Sequence, residues 1–111
     1  MNDRFMFRAW IPEYKRFIER RLIDGHEASL KWEQCTGLKD KNGVLIYEGD
    51  IIRCLYKTES YDGVVVWDAN EAGFSILVDG ELYSFAQRKD DDVTIIIGNI
   101  HENQELLKEE Q

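Results

Sequence analysis

The stretch QCTGLKDKNGVLIYEGDII, Gln34 to Ile52, decides the fold. Two apolar strand edges flank a polar, glycine-bearing turn, and a second tight turn follows at once. Thr36-Gly37 and Asp40-Lys41-Asn42-Gly43 read as turn material: Asn-Gly tolerates positive φ best, and Asp40 can bond its own backbone two residues on. Val44 to Tyr47 is short, β-branched and aromatic, so it reads as a strand running into Glu48-Gly49-Asp50 before the apolar run Ile51-Ile52. A Gly-Asp step opening an apolar strand turns a barrel corner, because glycine permits the bend and the carboxylate satisfies amides left open in the turn. The segment specifies a β-barrel corner and points to no ligand.

On its N-terminal side, Ser29 to Cys35 alternates, with Leu30, Trp32 and Gln34 on one face and Lys31, Glu33 and Cys35 on the other, which predicts a half-exposed strand. Phe5, Phe7 and Ala9 alternate with Met6, Arg8 and Trp10 in the same way, until Pro12 interrupts pairing. From Glu13 to Ile23 the signals conflict. Tyr14, Phe17, Ile18 and Leu22 fall near helical spacing, while Phe17-Ile18 and Leu22-Ile23 suit the arms of a hairpin turning at Asp24-Gly25.

On the C-terminal side the pattern predicts a strand over Ile51 to Lys57, a loop over Thr58 to Gly63, a central strand over Val64 to Trp67 and a turn over Asp68 to Gly73. Phe74, Ile76 and Val78 form the next strand, Asp79-Gly80 is a two-residue hairpin turn, and Leu82, Tyr83 and Phe85 fill the return strand of a meander. Gln87 to Asp92 is a charged loop before the apolar run Val93 to Ile97, and Gln104 to Glu110 favours helix with Asn103 as its cap. Short strands about ten residues apart with turn signals between them point to a small barrel or sandwich.

The run TGLKDKNGVLIYEGDII resembles the signature segment of the YopX-type proteins of phages and prophages. Phe5-Met6-Phe7-Arg8-Ala9-Trp10 is similar to that family's opening FRAW strand, Gly63 to Trp67 to its middle strand, and Ile97 to Asn103 with Glu105-Leu106-Leu107 to its closing segment. Cys35 stands where an aromatic is usual and Gln104 where proline is usual, and the region between Trp10 and Leu30 is short and unlike the family. The resemblance implies a mainly β, SH3-like barrel with an N-terminal strand and hairpin extension and a short C-terminal helix, in a phage-derived intracellular protein. It favours the hairpin for residues 11–29 and carries over no catalytic residue. One domain is expected over 1–111: an N-terminal strand and hairpin arm (1–33), the barrel core (34–102) and a helical tail (103–111).

A 111-residue chain buries about two thirds of its unfolded surface and needs neither disulfide nor metal to fold. Its two cysteines, Cys35 and Cys54, lack zinc or redox spacing and read as buried thiols. No apolar run reaches the roughly 18 residues of a membrane span, and Met1 to Arg4 lacks a signal-like apolar region, so a cytoplasmic protein of a bacterial host is expected, without membrane partners. The net charge of −8 argues against general nucleic-acid binding. The charge is split, however: residues 1–21 carry a local +3 and residues 22–111 a net −11.

Candidate chemistry is sparse. Asp40, Asn42 and Glu48 lack the glycine position and ligand series of a calcium loop, and Asp90-Asp91-Asp92 reads as a solvated gatekeeper of the apolar run after it. His26 and His101 have no partner in catalytic spacing, His101 reads as exposed, and no glycine-rich phosphate cradle occurs. No cofactor, metal or catalytic residue is therefore expected. Arg8, Trp10, Arg16, Arg20 and Arg21 form the basic-aromatic cluster and hence the candidate interaction surface. Arg8 alternatively bridges to Glu48 or Asp50, tying the first strand to the corner. The signature turn of Thr36, Gly37, Asp40, Asn42, Gly43, Glu48, Gly49 and Asp50 reads as structural. The expected function is a non-enzymatic accessory domain that contacts copies of itself or another phage or host protein; the alternative is a nucleic-acid-binding module built on the N-terminal arginines.

Overall fold

Antiparallel pairing accounts for nearly all regular structure in the computed structural model of the chain, which describes residues 6–21, 30–56, 58–85 and 93–108. β1 (Phe7–Ile11) and β2 (Arg16–Arg20) form a hairpin with Ile11 opposite Arg16. Pro12 lies in its turn, where a missing N–H costs nothing, and the Tyr14 amide closes the turn on the Ile11 carbonyl at 3.1 Å. Residues 16–20 are thus strand and not helix, paired with β1 through a reversal at 12–15; the expected turn at Asp24-Gly25, with Leu22, Ile23 and His26, lies outside the described residues.

β3 (Trp32–Lys39) and β4 (Leu45–Tyr47) complete a four-stranded sheet in the order β2-β1-β3-β4. β5 (Asp50–Tyr56), β6 (Glu59–Asp68), β7 (Gly73–Val78), β8 (Glu81–Ser84) and β9 (Val93–Asn99) form the second, ordered β8-β7-β6-β5-β9. The predicted meander is β5 to β8. Its Asp79-Gly80 turn has φ of 50° and 83°, the pair of positive values that a two-residue hairpin matching strand twist requires.

Thr36-Gly37 is not a turn. Both residues lie inside β3, at an irregularity between the pairs Cys35 with Tyr47 and Lys39 with Leu45. Gly37 takes φ of 85° there, and the Thr36 hydroxyl replaces lost ladder bonds, donating to the Ile46 carbonyl at 2.8 Å and accepting from the Leu38 amide at 3.1 Å. Residues 58–63 are not a loop either. β6 begins at Glu59, opposite Tyr56, and its polar start is an exposed strand in which Asp62 faces Arg53. Among the described residues the terminal helix, α1 (Glu105–Lys108), spans a single turn, and the Asn103 carboxamide oxygen accepts from the Asn99 amide at 3.2 Å.

The two sheets are joined through Asp40. One carboxylate oxygen accepts from the amides of Asn42 and Val44 at 2.9 and 3.0 Å, and the other from Ile96 on β9 at 3.1 Å. The Lys41 amide adds a bond to the Thr94 carbonyl at 2.8 Å. The turn thereby covers the outer edge of β9 and joins the two sheets into a curled half-barrel. Ile46 of the first sheet packs with Ile52, Cys54, Val65 and Ile76 of the second, with Phe74, Val78, Phe85 and Ile96 around them.

Candidate functional site

β1 is buried on both faces: Ala9 is 0% exposed on one and Arg8 7% on the other. A guanidinium removed from water needs compensating acceptors. Glu33, directly across from Arg8 on β3, supplies the first, accepting from Nε at 2.9 Å. The corner supplies the others, with Asp50 Oδ1 at 2.9 Å from the terminal nitrogen and the Glu48 carbonyl at 3.3 Å. The guanidinium also lies 4.1 Å from the Phe17 ring centre and 4.7 Å from that of Tyr47, in favourable cation–π positions.

The corner is shaped for this contact. Gly49 has φ of +89°, and a Cβ there would run into the Glu33 carboxyl group. Its amide donates to the Val65 carbonyl at 2.8 Å and its carbonyl accepts from Ile100 at 3.0 Å, so one residue links corner, β6 and the turn after β9. Asp50 Oδ2 accepts from the Tyr47 amide at 2.7 Å, as a corner carboxylate was expected to do. Glu48 caps the Gln34 amide through Oε1 at 3.1 Å.

His101 completes the cluster. Asn99 Oδ1 accepts from the amides of His101 and Glu102 at 3.0 Å each, folding the turn so that the imidazole reaches back. His101 Nε2 sits 3.0 Å from Glu33 Oε2. The ring stacks on Trp10 at 5.4 Å with 9° between planes and meets the edge of Phe17 at 5.6 Å. It is half-buried, with 20% of its side chain exposed, against the exposed position expected for it.

Burial pushes the Asp50 carboxyl up, more than Arg8 and the Tyr47 amide pull it down. Burial likewise drives the Tyr47 phenol up to about 12, with the Glu19 charge adding to it. Asp40 goes the other way: burial raises its carboxyl, but the amides of Ile96, Val44 and Asn42 together outweigh this and hold it below the ordinary range. Both oxygens of Glu33 and both of Asp50 are engaged, so the cluster fastens strands together and offers no open carboxylate to a ligand. The Asp40 oxygens are likewise taken by amides.

The five candidates for an interaction surface do not share one face. Pleating places Arg16, Ile18 and Arg20 on one side of β2 and Phe17 and Glu19, with Arg8 and Trp10 of β1, on the other. Arg8 and Trp10 belong to the buried cluster. Arg16 is exposed, with its guanidinium 5.5 Å from the Tyr14 ring centre, and Arg20 and Arg21 are exposed beyond it. The expected bridge from Arg8 to Asp50 and the Glu48 backbone is present. Glu33 and His101 were missed: Glu33 reads as an ordinary polar residue of a half-exposed strand, and its bond to His101 spans 68 residues. A buried cation on β1 demanding a cross-strand anion was the available signal for Glu33; His101 offered none.

Fold and cluster together define a class, a mainly β half-barrel whose N-terminal hairpin is fastened to the central corner by a buried arginine. The chain belongs to the YopX family, whose model, described as YopX protein, matches residues 20–108. Glu33, Asp50 and His101 fall inside the matched range, while Arg8 and the FRAW-like strand precede it. No curated protein matches the chain. Among the described residues no helix is long and apolar enough to cross a membrane, and none of the His, Cys, Asp and Glu side chains gather in a group of three or more that could hold a metal ion.

Proposed function

We propose that this chain is a non-enzymatic accessory protein of a phage or prophage, working in the host cytoplasm through protein contacts and assembling with copies of itself. The observation that carries the reading is the exposure of Arg16, Arg20 and Arg21 along β2 on a protein whose residues 22–111 are net −11. Such a split favours docking of the basic hairpin of one copy on the acidic body of another. The commitment of Arg8, Glu33, Asp50 and His101 to one another supports a contact role, since these charges are spent on the fold.

The alternative, a nucleic-acid-binding module, is weakened by the separation of Trp10 and Arg8 from Arg16 and Arg20 on opposite faces of the hairpin. Light scattering at about 50 mM and about 500 mM salt tests the reading, because the Debye length shrinks severalfold over that range. A salt-sensitive oligomer is expected. A monomer at every concentration and salt excludes self-association, and an oligonucleotide shift at about 50 mM salt promotes the alternative.

A further inference from the structure

β5 leaves β6 before β6 ends. Their pairing runs from Tyr56 opposite Glu59 to Ile51 opposite Val64. The chain then bends through Gly49, whose amide reaches the Val65 carbonyl, while β6 continues to Asp68. In an antiparallel ladder the backbone groups of successive residues point toward opposite neighbours. The Val65 carbonyl faces the β5 side, so Trp67, two residues on, directs its N–H and C=O to that side, where β5 is no longer present. Its pairing with Phe74 on β7 is accordingly the kind without hydrogen bonds.

A groove of about 320 Å³ lies along this opening, walled by Lys31, Trp32, Glu48, Val66, Trp67 and Ile100. That volume is at the low end of ligand sites, which run from about 300 to 1,000 Å³. Trp67 is 49% exposed and is braced by the Phe74 ring, 5.1 Å away and nearly perpendicular. Glu48 spends Oε1 on the Gln34 amide, and its Oε2 meets no donor among the described residues.

We propose that this groove takes an extended peptide of alternating apolar and basic residues, which adds to β6 at Trp67. The outward-turned backbone pair of Trp67 calls for another extended backbone, as in strand addition to a sheet edge. The walls of Trp32, Val66, Trp67 and Ile100 suit an apolar side chain. The open Glu48 oxygen, the indole faces and the net charge of −8 select a cation. Lys31 at the rim disfavours a basic residue beside it and so assigns that residue to the Glu48 wall. This inference rests on reading the chain as a protein-contact module, but it requires no second copy.

The test is titration of the full chain with acetyl-Lys-Val-Lys-Val-Lys-amide, and with its glutamate counterpart, read by backbone amide exchange in NMR. The lysine peptide should saturate and slow exchange of the Trp67 amide about tenfold or more, leaving Val66, already bonded in the β7 ladder, within about twofold. Glu48→Gln, which still caps Gln34, should weaken it about two- to fivefold. Trp67→Pro removes the N–H at a position where no ladder bond is lost and should abolish saturation, read in this variant from peptide-induced shifts of the Val66 and Ile100 amides. If that variant does not fold, a peptide N-methylated at its central residue removes the reciprocal bond, from peptide N–H to the Trp67 carbonyl, and should likewise fail to saturate.

Absence of saturation by millimolar peptide, or saturation with the Trp67 amide unchanged, overturns the proposal. Equal protection by the glutamate peptide or by a deoxythymidine decamer overturns it too, the latter in favour of nucleic acid. Light scattering on the same samples separates the readings: assembly with Trp67 untouched removes the groove and keeps the contact role, whereas Trp67 protection in a persistent monomer removes self-association and keeps the groove.

Discussion

Ile46, Ile52, Cys54, Val65 and Ile76 close one side of the half-barrel with side chains that need only proximity. On the other side Arg8, Glu33, Asp50 and His101 hold β1, β3, the corner and the last turn by contacts of 2.9 to 3.0 Å. The first arrangement degrades gradually when atoms are removed, because burial energy scales with area. The second fails abruptly, because deleting one member leaves its partners charged and out of water. The chain thus combines a tolerant core with an intolerant seam, and the seam is what joins the N-terminal hairpin to the rest.

The largest expected effect attacks the seam through its backbone. Gly49→Ala adds an atom against the Glu33 carboxyl at a positive φ, and should cost at least about 3 kcal/mol in urea unfolding, enough to unfold a marginal domain. Ile76→Ala in the apolar core should cost about 2–5 kcal/mol. The sharper contrast uses single methylenes. Ile76→Val should lose only about 0.5–1.5 kcal/mol, whereas Glu33→Asp withdraws the carboxylate from Arg8 and His101 together and should lose about 3 kcal/mol or more. Equal losses in that pair of variants would erase the distinction between the two regions.

Asp40→Asn should cost about 1.5–3 kcal/mol at neutral pH, the range for hydrogen bonds to a charged group. The Asp40 carboxyl lies lower in the folded chain than in the unfolded one. Its contribution is therefore complete above the unfolded carboxylate range and is lost as pH falls through the folded value. The gap between parent and variant should narrow on acidification, and a gap that widens would show that the closing turn does not depend on the Asp40 charge. The smallest effect belongs to Arg53→Ala. Its bidentate pair with Asp62, at 2.8 and 3.0 Å, lies on the surface with Arg53 45% exposed, and should be worth about 0–1 kcal/mol, decreasing with salt.

What could be read from the sequence follows the same division. The meander was legible because Val64 to Trp67 is an uninterrupted apolar run, Phe74, Ile76 and Val78 recur at the strand period, and Asp79-Gly80 names the turn that follows. The corner was legible because Glu48-Gly49-Asp50 combines a residue that accepts positive φ with a carboxylate placed for an amide three residues back. Thr36-Gly37 misled because a bulge and a turn want the same residue types, and the difference lies in the Ile46 carbonyl that the Thr36 hydroxyl reaches. Glu59 to Asp62 misled because an exposed strand start has the composition of a loop. The seam was half legible: Arg8 in an apolar strand implied a partner at the corner, but Glu33 and His101 are 25 and 93 positions from Arg8, and no local pattern links them.

Arg8 is committed to the fold and not to a surface. Urea unfolding of Arg8→Ala beside Arg53→Ala puts this to the test, since the two arginine deletions differ in burial and in what they leave behind. Arg8→Ala should cost about 3–5 kcal/mol, against at most about 1 kcal/mol for Arg53→Ala. Losses that agree within about 0.5 kcal/mol, the usual scatter of surface substitutions, would contradict the account.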